Sequence, residues 1–205
     1  MRTCSMNNLG RRTVLGMIAA ASATLITGPA RAALTVASAK QLISQVVSDI
    51  NSVINSGRSE SRILKDFEKI FEKYGDVPII ARSTLGPDAR RASPAQLAAF
   101  SDAFATYLAH KYGRRFREFQ GGEIEVIDAK QVKRYFEVDS VARLRGQAPF
   151  SVVFRVSDRS GRNLFFDIVI EGISLGKTER TEIGAMLDRR RGDIDAMIAD
   201  LRAVG

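Results

Sequence analysis

"FFDIVIEGISLGKTERTEI", residues 165–183, begins as an apolar run, crosses a glycine, and ends in charge at helical spacing. A strand with one wet side alternates apolar with polar residues. Strict alternation here puts Leu164, Phe166, Ile168 and Ile170 on one face and Phe165, Asp167, Val169 and Glu171 on the other. Apolar groups stand on both faces, so each needs cover. Beyond Gly172, "KTERTEIGAMLDRRRG" (177–192) reads as a helix closed by Gly192, and "DIDAMIADLRAV" (193–204) as a second one. Asp193 serves as the cap of that last helix, with Ile194, Met197, Ile198 and Leu201 on its inner side.

Upstream the period stays at two. "FSVVFRVSD" (150–158) lines up Phe150, Val152, Phe154 and Val156, and "DRSGR" (158–162) supplies the turn into the opening stretch. "EIEVI" (123–127) and "KRYFEVDSVARL" (133–144) alternate apolar with charged residues and read as half-exposed strands. Before Gly121 the period is helical. Ile43, Val46, Val47, Ile50, Val53 and Ile54 form one stripe, ended by Gly57, and Ile63, Leu64, Phe67, Ile70, Phe71 and Tyr74 a second, ended by Gly75. "DVPIIARSTL" (76–85) is a short helix with Pro78 in its first turn. Ser93 and Pro94 then open a helix whose stripe is Leu97, Phe100, Phe104, Tyr107, Leu108, Tyr112 and Phe116.

Helices followed by antiparallel strands predict an α+β fold: a twisted antiparallel sheet of about four strands, wrapped by several helices that enclose an apolar cavity. The 205 residues, 45% hydrophobic and 26% charged, suit one globular domain. Residues 1–32 read as a cleaved export signal. Arg11 and Arg12 precede an apolar run from Val14 to Ile26, and Ala30-Arg31-Ala32 is a small-x-small cleavage site. "GRRTVLG" is of the twin-arginine type, departing from that pattern at Val14 and Gly16.

Cleavage removes four arginines and no acid, leaving +4 of the formal +8, and takes the sole cysteine, Cys4, with it. That weak charge, with no base-stacking motif, argues against nucleic acid as a partner. The lone His110 stands beside Lys111, with no Ser/His/Asp set and no metal-spaced cluster. Asp167 or Glu171 as a general base on an NTF2-like cone fold is the competing enzyme reading. The expectation is no enzyme, no catalytic residue, no metal and no cofactor. Arg82, Arg90 and Arg91 read as a solvated loop, with a phosphate headgroup or membrane contact as the alternative, and Arg189-Arg190-Arg191 as a helix end that complements the helix dipole, with a docking surface for an acidic partner as the alternative.

Two blocks carry a family resemblance: "LGPDARRASPAQLAAFSDAFATYLAHKYGRRF" (85–116) and "FSVVFRVSDRSGRNLFFDIVIEGISL" (150–175). The specific pieces are Leu85-Gly86, Ala92-Ser93-Pro94-x-Gln96, and Asp167-x-x-Ile170-Glu171-Gly172-Ile173-Ser174-Leu175. In these the mature chain, residues 33–205, resembles the MlaC or toluene-tolerance family, the periplasmic phospholipid-binding component of a lipid ABC transport system. It departs from the family at Asn163 and Ala89, where tryptophans are usual, and at Thr178-Glu179-Arg180, where Asn-Tyr-Arg is usual.

The resemblance implies a monomeric periplasmic carrier that holds phospholipid acyl chains in an apolar pocket. Its partners would be an inner-membrane lipid ABC transporter complex and an outer-membrane lipoprotein complex. A hopanoid or other polycyclic lipid is the alternative ligand, because a relative of the family is associated with hopanoid gene clusters. Facing pattern assigns Phe100, Phe104, Tyr107, Leu108, Phe154, Phe166, Ile168 and Ile170 to the pocket lining. Tyr74, Ile79, Ile80 and Leu85 are assigned to its mouth.

Overall fold

A computed structural model describes residues 33–114 and 119–204; the expected export signal over residues 1–32, and Phe116, lie outside them. The order is α1 (Val36–Ile54), α2 (Glu60–Tyr74), α3 (Val77–Leu85), a 3-10 turn (Gly86–Arg90), α4 (Pro94–Gly113), β1 (Glu123–Val132), β2 (Tyr135–Arg143), β3 (Phe150–Ser157), β4 (Leu164–Ile170), β5 (Ile173–Ser174), α5 (Leu175–Arg189) and α6 (Ile194–Val204). The strands pair antiparallel in chain order, β1 to β5, as one open sheet. The fold is therefore α+β, with a fifth, two-residue strand beyond the four read from the sequence.

Local chemistry sets the helix starts. Ser93 and Gln96 form a reciprocal capping box at α4, each side chain bonding the other's backbone N–H. Thr35 and Ser38 do the same for α1. Asp193 Oδ1 accepts from the Ala196 N–H, as its place before α6 predicts. α4 is the axis of the helical layer and touches α2, α3 and α6.

The inner face of the sheet is continuous from strand to strand. Val138, Phe154 and Ile168 stand side by side, as do Ser140, Val152 and Ile170, and α1 lies over the β1–β2 end. On the outer face one register row carries alternating charge: Lys130, Glu137, Arg155 and Asp167 are consecutive partners across four strands. Their contacts are 3.9, 3.1 and 3.1 Å. Asp167 closes the row by accepting from Ser174 Oγ (2.8 Å) and the Gly176 N–H (3.0 Å), which fastens β4 to the first turn of α5.

The face assignment of β4 requires a correction. Arg155 pairs with Asp167 but Val156 pairs with Phe165, so Phe166 is an extra, bulged residue. One inserted residue reverses the facing of everything on one side of it. Phe165 therefore turns inward beside Phe154, with ring centroids 6.1 Å apart. Phe166 turns to the outer face and meets Tyr135 edge-on at 5.6 Å. Ile168 and Ile170 keep the inward facing that alternation predicts. β1 is likewise longer than "EIEVI", with its own register shift between Val126 and Asp128.

Two turns depend on particular residues. Glu171 and Gly172 both have positive φ (48° and 79°), the requirement of a two-residue turn that matches strand twist, and they join β4 to β5. Gly75 has an ordinary φ of −88°, so it ends α2 by lack of bulk instead. A Cβ there would lie 2.6 Å from the Phe71 carbonyl oxygen and 3.1 Å from the Phe165 ring. That clearance lets the α2–α3 link bridge the edge of β4 at Phe165.

Candidate functional site

Eight of the twelve residues assigned to pocket or mouth fall in one contiguous buried cluster: Tyr74, Ile80, Leu85, Phe100, Phe104, Tyr107, Leu108 and Phe154. Phe166 and Ile168 pack against it, half-buried, whereas Ile79 and Ile170 are half-buried at its margin. The centre is aromatic. Phe100 stacks on Phe104 at 5.4 Å and Phe104 on Tyr107 at 6.2 Å, while across the interior Phe154 meets Phe165, which meets Phe71 at 5.9 Å.

Phe100 and Phe104 are 0% exposed, so side chains fill the middle of this interior. The two clefts that stand out lie at its edges. A shallow groove of about 560 Å³ runs between α1 and β1, lined by Ser44, Val47, Ser48, Asn51, Ser52 and Val126. A second, of about 340 Å³, lies where Gly75 and Asp76 lead from α2 into α3, against Ala105 of α4 and Leu164 of β4.

Pattern reading left out Phe165 and Phe71 as members of the aromatic layer. Phe71 was legible as part of the α2 stripe, but Phe165 depends on the bulge. It also left out Asp76, which is 1% exposed and has a side-chain oxygen without a hydrogen-bond partner. A charged residue directly after a helix-ending glycine reads as a cap, so the sequence carries no separate signal for it.

One rim of the cluster is charged. The Tyr107 ring belongs to the core, but its hydroxyl donates to Glu182 Oε2 at 2.8 Å. Lys111 bonds both Glu179 (2.8 Å) and Glu182 (2.5 Å), and the Tyr112 hydroxyl donates to Glu179. Burial, then the bond to Glu182, pushes the Tyr107 phenol up to about 12. Burial, then Glu179, raises Tyr112 as well. For Lys111, burial pulls downward, but the bonds to Glu179 and Glu182 outweigh it and the ammonium is held above its usual range. Lys111, with Tyr107 second, holds the Glu182 carboxyl below its usual range against the opposing effect of burial. This network fastens α4 to α5 around Glu179, which is 2% exposed.

The remaining candidates have structural partners. Asp167 is occupied by Arg155, Ser174 and Gly176, as described above, and Glu171 accepts from the Ser151 N–H. Arg91 bonds Asp88 and the Gly192 carbonyl, and Arg190 holds Asp200 with two bonds, joining α5 to α6. Among the described residues, no three carboxylate, histidine or cysteine side chains are placed to hold a metal ion, and no helix is long and apolar enough to cross a membrane.

Comparison with known proteins places this architecture. The family model described as MlaC protein matches residues 40–203. Among solved structures, the phospholipid-binding protein from Ralstonia solanacearum, determined in complex with a phospholipid, superposes with a TM-score of 0.67 at 18% identity. The match covers 80% of this chain and 98% of the other.

Proposed function

The chain belongs to the MlaC family, and we propose that it is a periplasmic carrier that sheathes phospholipid acyl chains between its sheet and its helices. The observation that carries this reading is the interior itself. An aromatic and aliphatic layer faces a sheet face that is apolar but for Ser140. The Ralstonia protein, whose fold this chain shares along almost its whole length, was determined holding a phospholipid, and that supports the same class of ligand here.

Energetics favour tails over headgroup as the source of affinity. Each buried methylene contributes about 0.8 kcal/mol, so two acyl chains bind with no charged contact. The tails would part the layer of Phe100, Phe104, Phe154 and Phe165 and lie along Ile168 and Ile170, with Tyr74, Ile79, Ile80 and Leu85 at the mouth. Residues 1–32 would direct export by the twin-arginine route, and the monomer released by cleavage after Ala32 would pass lipid between an outer-membrane lipoprotein complex and an inner-membrane transporter.

The test is native mass spectrometry of the exported protein, followed by extraction and identification of the bound lipid. Phospholipid is the expected finding; a hopanoid would assign the carrier a polycyclic ligand instead, and an empty protein would refute it. Ile168→Glu places a charge on a half-buried inner-face position and is expected to strip bound lipid from a protein that still folds. Undiminished lipid in that variant would remove β4 from the pocket.

A further inference from the structure

α4 and α5 face each other across a seam that side chains, not backbone packing, hold shut. α4 packs on α2, α3 and α6, and α5 on α3, β4, β5 and α6, but the two backbones scarcely approach each other. Their join is made by long polar side chains. The Tyr107 hydroxyl donates to Glu182 at 2.8 Å, Lys111 bonds Glu179 and Glu182, and the Tyr112 hydroxyl donates to Glu179. Lys111 also lies over both tyrosine rings, 5.4 Å from each centroid. These groups stand towards the C-terminal end of α4, whereas its tie to α6, Gln96 to Asp195 at 2.9 Å, is at the N-terminal end. The anchors of the two helices differ as well: Thr106 fastens α4 to Glu68 of α2, and Asp167 fastens α5 to the sheet.

The seam backs onto the aromatic layer. The buried Tyr107 ring continues the stack of Phe100 on Phe104, yet its hydroxyl ends on Glu182, whose side chain is 45% exposed. Tyr107 is therefore both the last ring of the apolar stack and a member of the charged join. Phe100 and Phe104 are fully buried and the middle of the interior is filled, so tails gain room only when this stack moves. A Tyr107 ring that moves with the stack withdraws its hydroxyl from Glu182, because a hydrogen bond weakens steeply once its distance and angle are lost.

We infer that the α4–α5 seam is where the interior widens to take acyl chains, and that the Tyr107–Glu182 bond, braced by Lys111, is the latch that keeps the empty form shut. The inference rests on the lipid-carrier reading and deepens it by naming the place that yields. A bond made in the closed form and absent from the loaded one opposes loading by its own free energy. Removing it should lower the stability of the empty protein and tighten lipid binding at the same time. Loss of a pocket contact does the opposite to binding.

The experiment strips the exported protein of lipid and titrates it with vesicles of phosphatidylethanolamine and phosphatidylglycerol, reading lipid phosphorus per protein. Thermal melting of the lipid-free form is recorded beside it. One hydrogen bond to a charged group corresponds to about a tenfold lower half-loading concentration in Tyr107→Phe. Glu182→Gln changes the surface end of the same bond and leaves the ring intact, and it is expected to shift loading in the same direction. Asp167→Asn, on the outer-face charge row, is the control: it should melt lower and leave half-loading unmoved. Tighter loading in both latch variants supports the inference. Unchanged or weaker loading in either overturns the latch and leaves the carrier standing, as does equal tightening in Asp167→Asn. No uptake by the wild type overturns the carrier and the latch with it. Should Tyr107→Phe fail to fold, Glu182→Gln decides by the same reading.

Discussion

Replacing Asp167 by asparagine isolates the charge that ties the sheet to α5. The asparagine carbonyl can occupy the place of Oδ1 and still accept from the N–H groups of Ile168 and Gly176, both 3.0 Å away. Its amide then stands where Oδ2 receives Arg155 Nη1 at 3.1 Å, donor against donor. Ser174 Oγ can rotate and accept instead. The net loss is one hydrogen bond between charged groups, about 1.5–3 kcal/mol. Arg155 keeps Glu137 at 3.1 Å and its side chain is 28% exposed, so no full penalty for an unpaired buried charge is added.

About 2 kcal/mol is the expected cost, equivalent to a fall in Tm of about 4–8 °C for a domain of this size. Calorimetry of D167N, R155M and the double variant measures it, with coupling between the two sites of at least about 1 kcal/mol. Bound lipid per folded protein should stay at the wild-type level, because Asp167 belongs to the outer-face charge row. Melting within about 1 °C of wild type, or additive single effects, would refute the role of the row as the fastening of α5.

Three further outcomes follow from the same geometry. Phe165→Ala should cost about 3–5 kcal/mol in urea unfolding, and Phe166→Ala markedly less; the opposite ranking would return β4 to strict alternation. In Tyr107 the folded phenol is raised to about 12 from 10.0, so its contribution is fully present below pH 10 and is lost as pH climbs towards 12. Tyr107→Phe should therefore flatten the alkaline limb of a stability–pH curve, and superimposable limbs would contradict the buried bond to Glu182. Lys111→Met leaves Glu179 buried without its cation, at a cost of about 3–5 kcal/mol. Adding Glu179→Gln should recover part of that loss, and no recovery would place the defect elsewhere.

Much of the buried cluster was legible because its signals are local. The stripe of Phe100, Phe104, Tyr107 and Leu108 follows from a helical period opened by a Ser93–Gln96 capping box, and all four side chains are buried as that period requires. Tyr107 shows the limit of such reading. Periodicity identifies its apolar ring but not the Lys111, Glu179 and Glu182 network that receives its hydroxyl, because Glu179 and Glu182 lie on α5, about seventy residues away.

Residue types and their spacing were enough to establish the two halves of the chain, the caps of α4 and α6, an antiparallel sheet and membership of the family, since each is written in neighbours along the chain or in short motifs. Which aromatic of the Phe165–Phe166 pair faces inward was decided by tertiary structure. A bulge is a mismatch between two strands, and neither strand alone records it. The burial of Asp76 arose in the same way: Gly75 lets the α2–α3 link cross the edge of β4 at Phe165, and that crossing leaves the next residue 1% exposed.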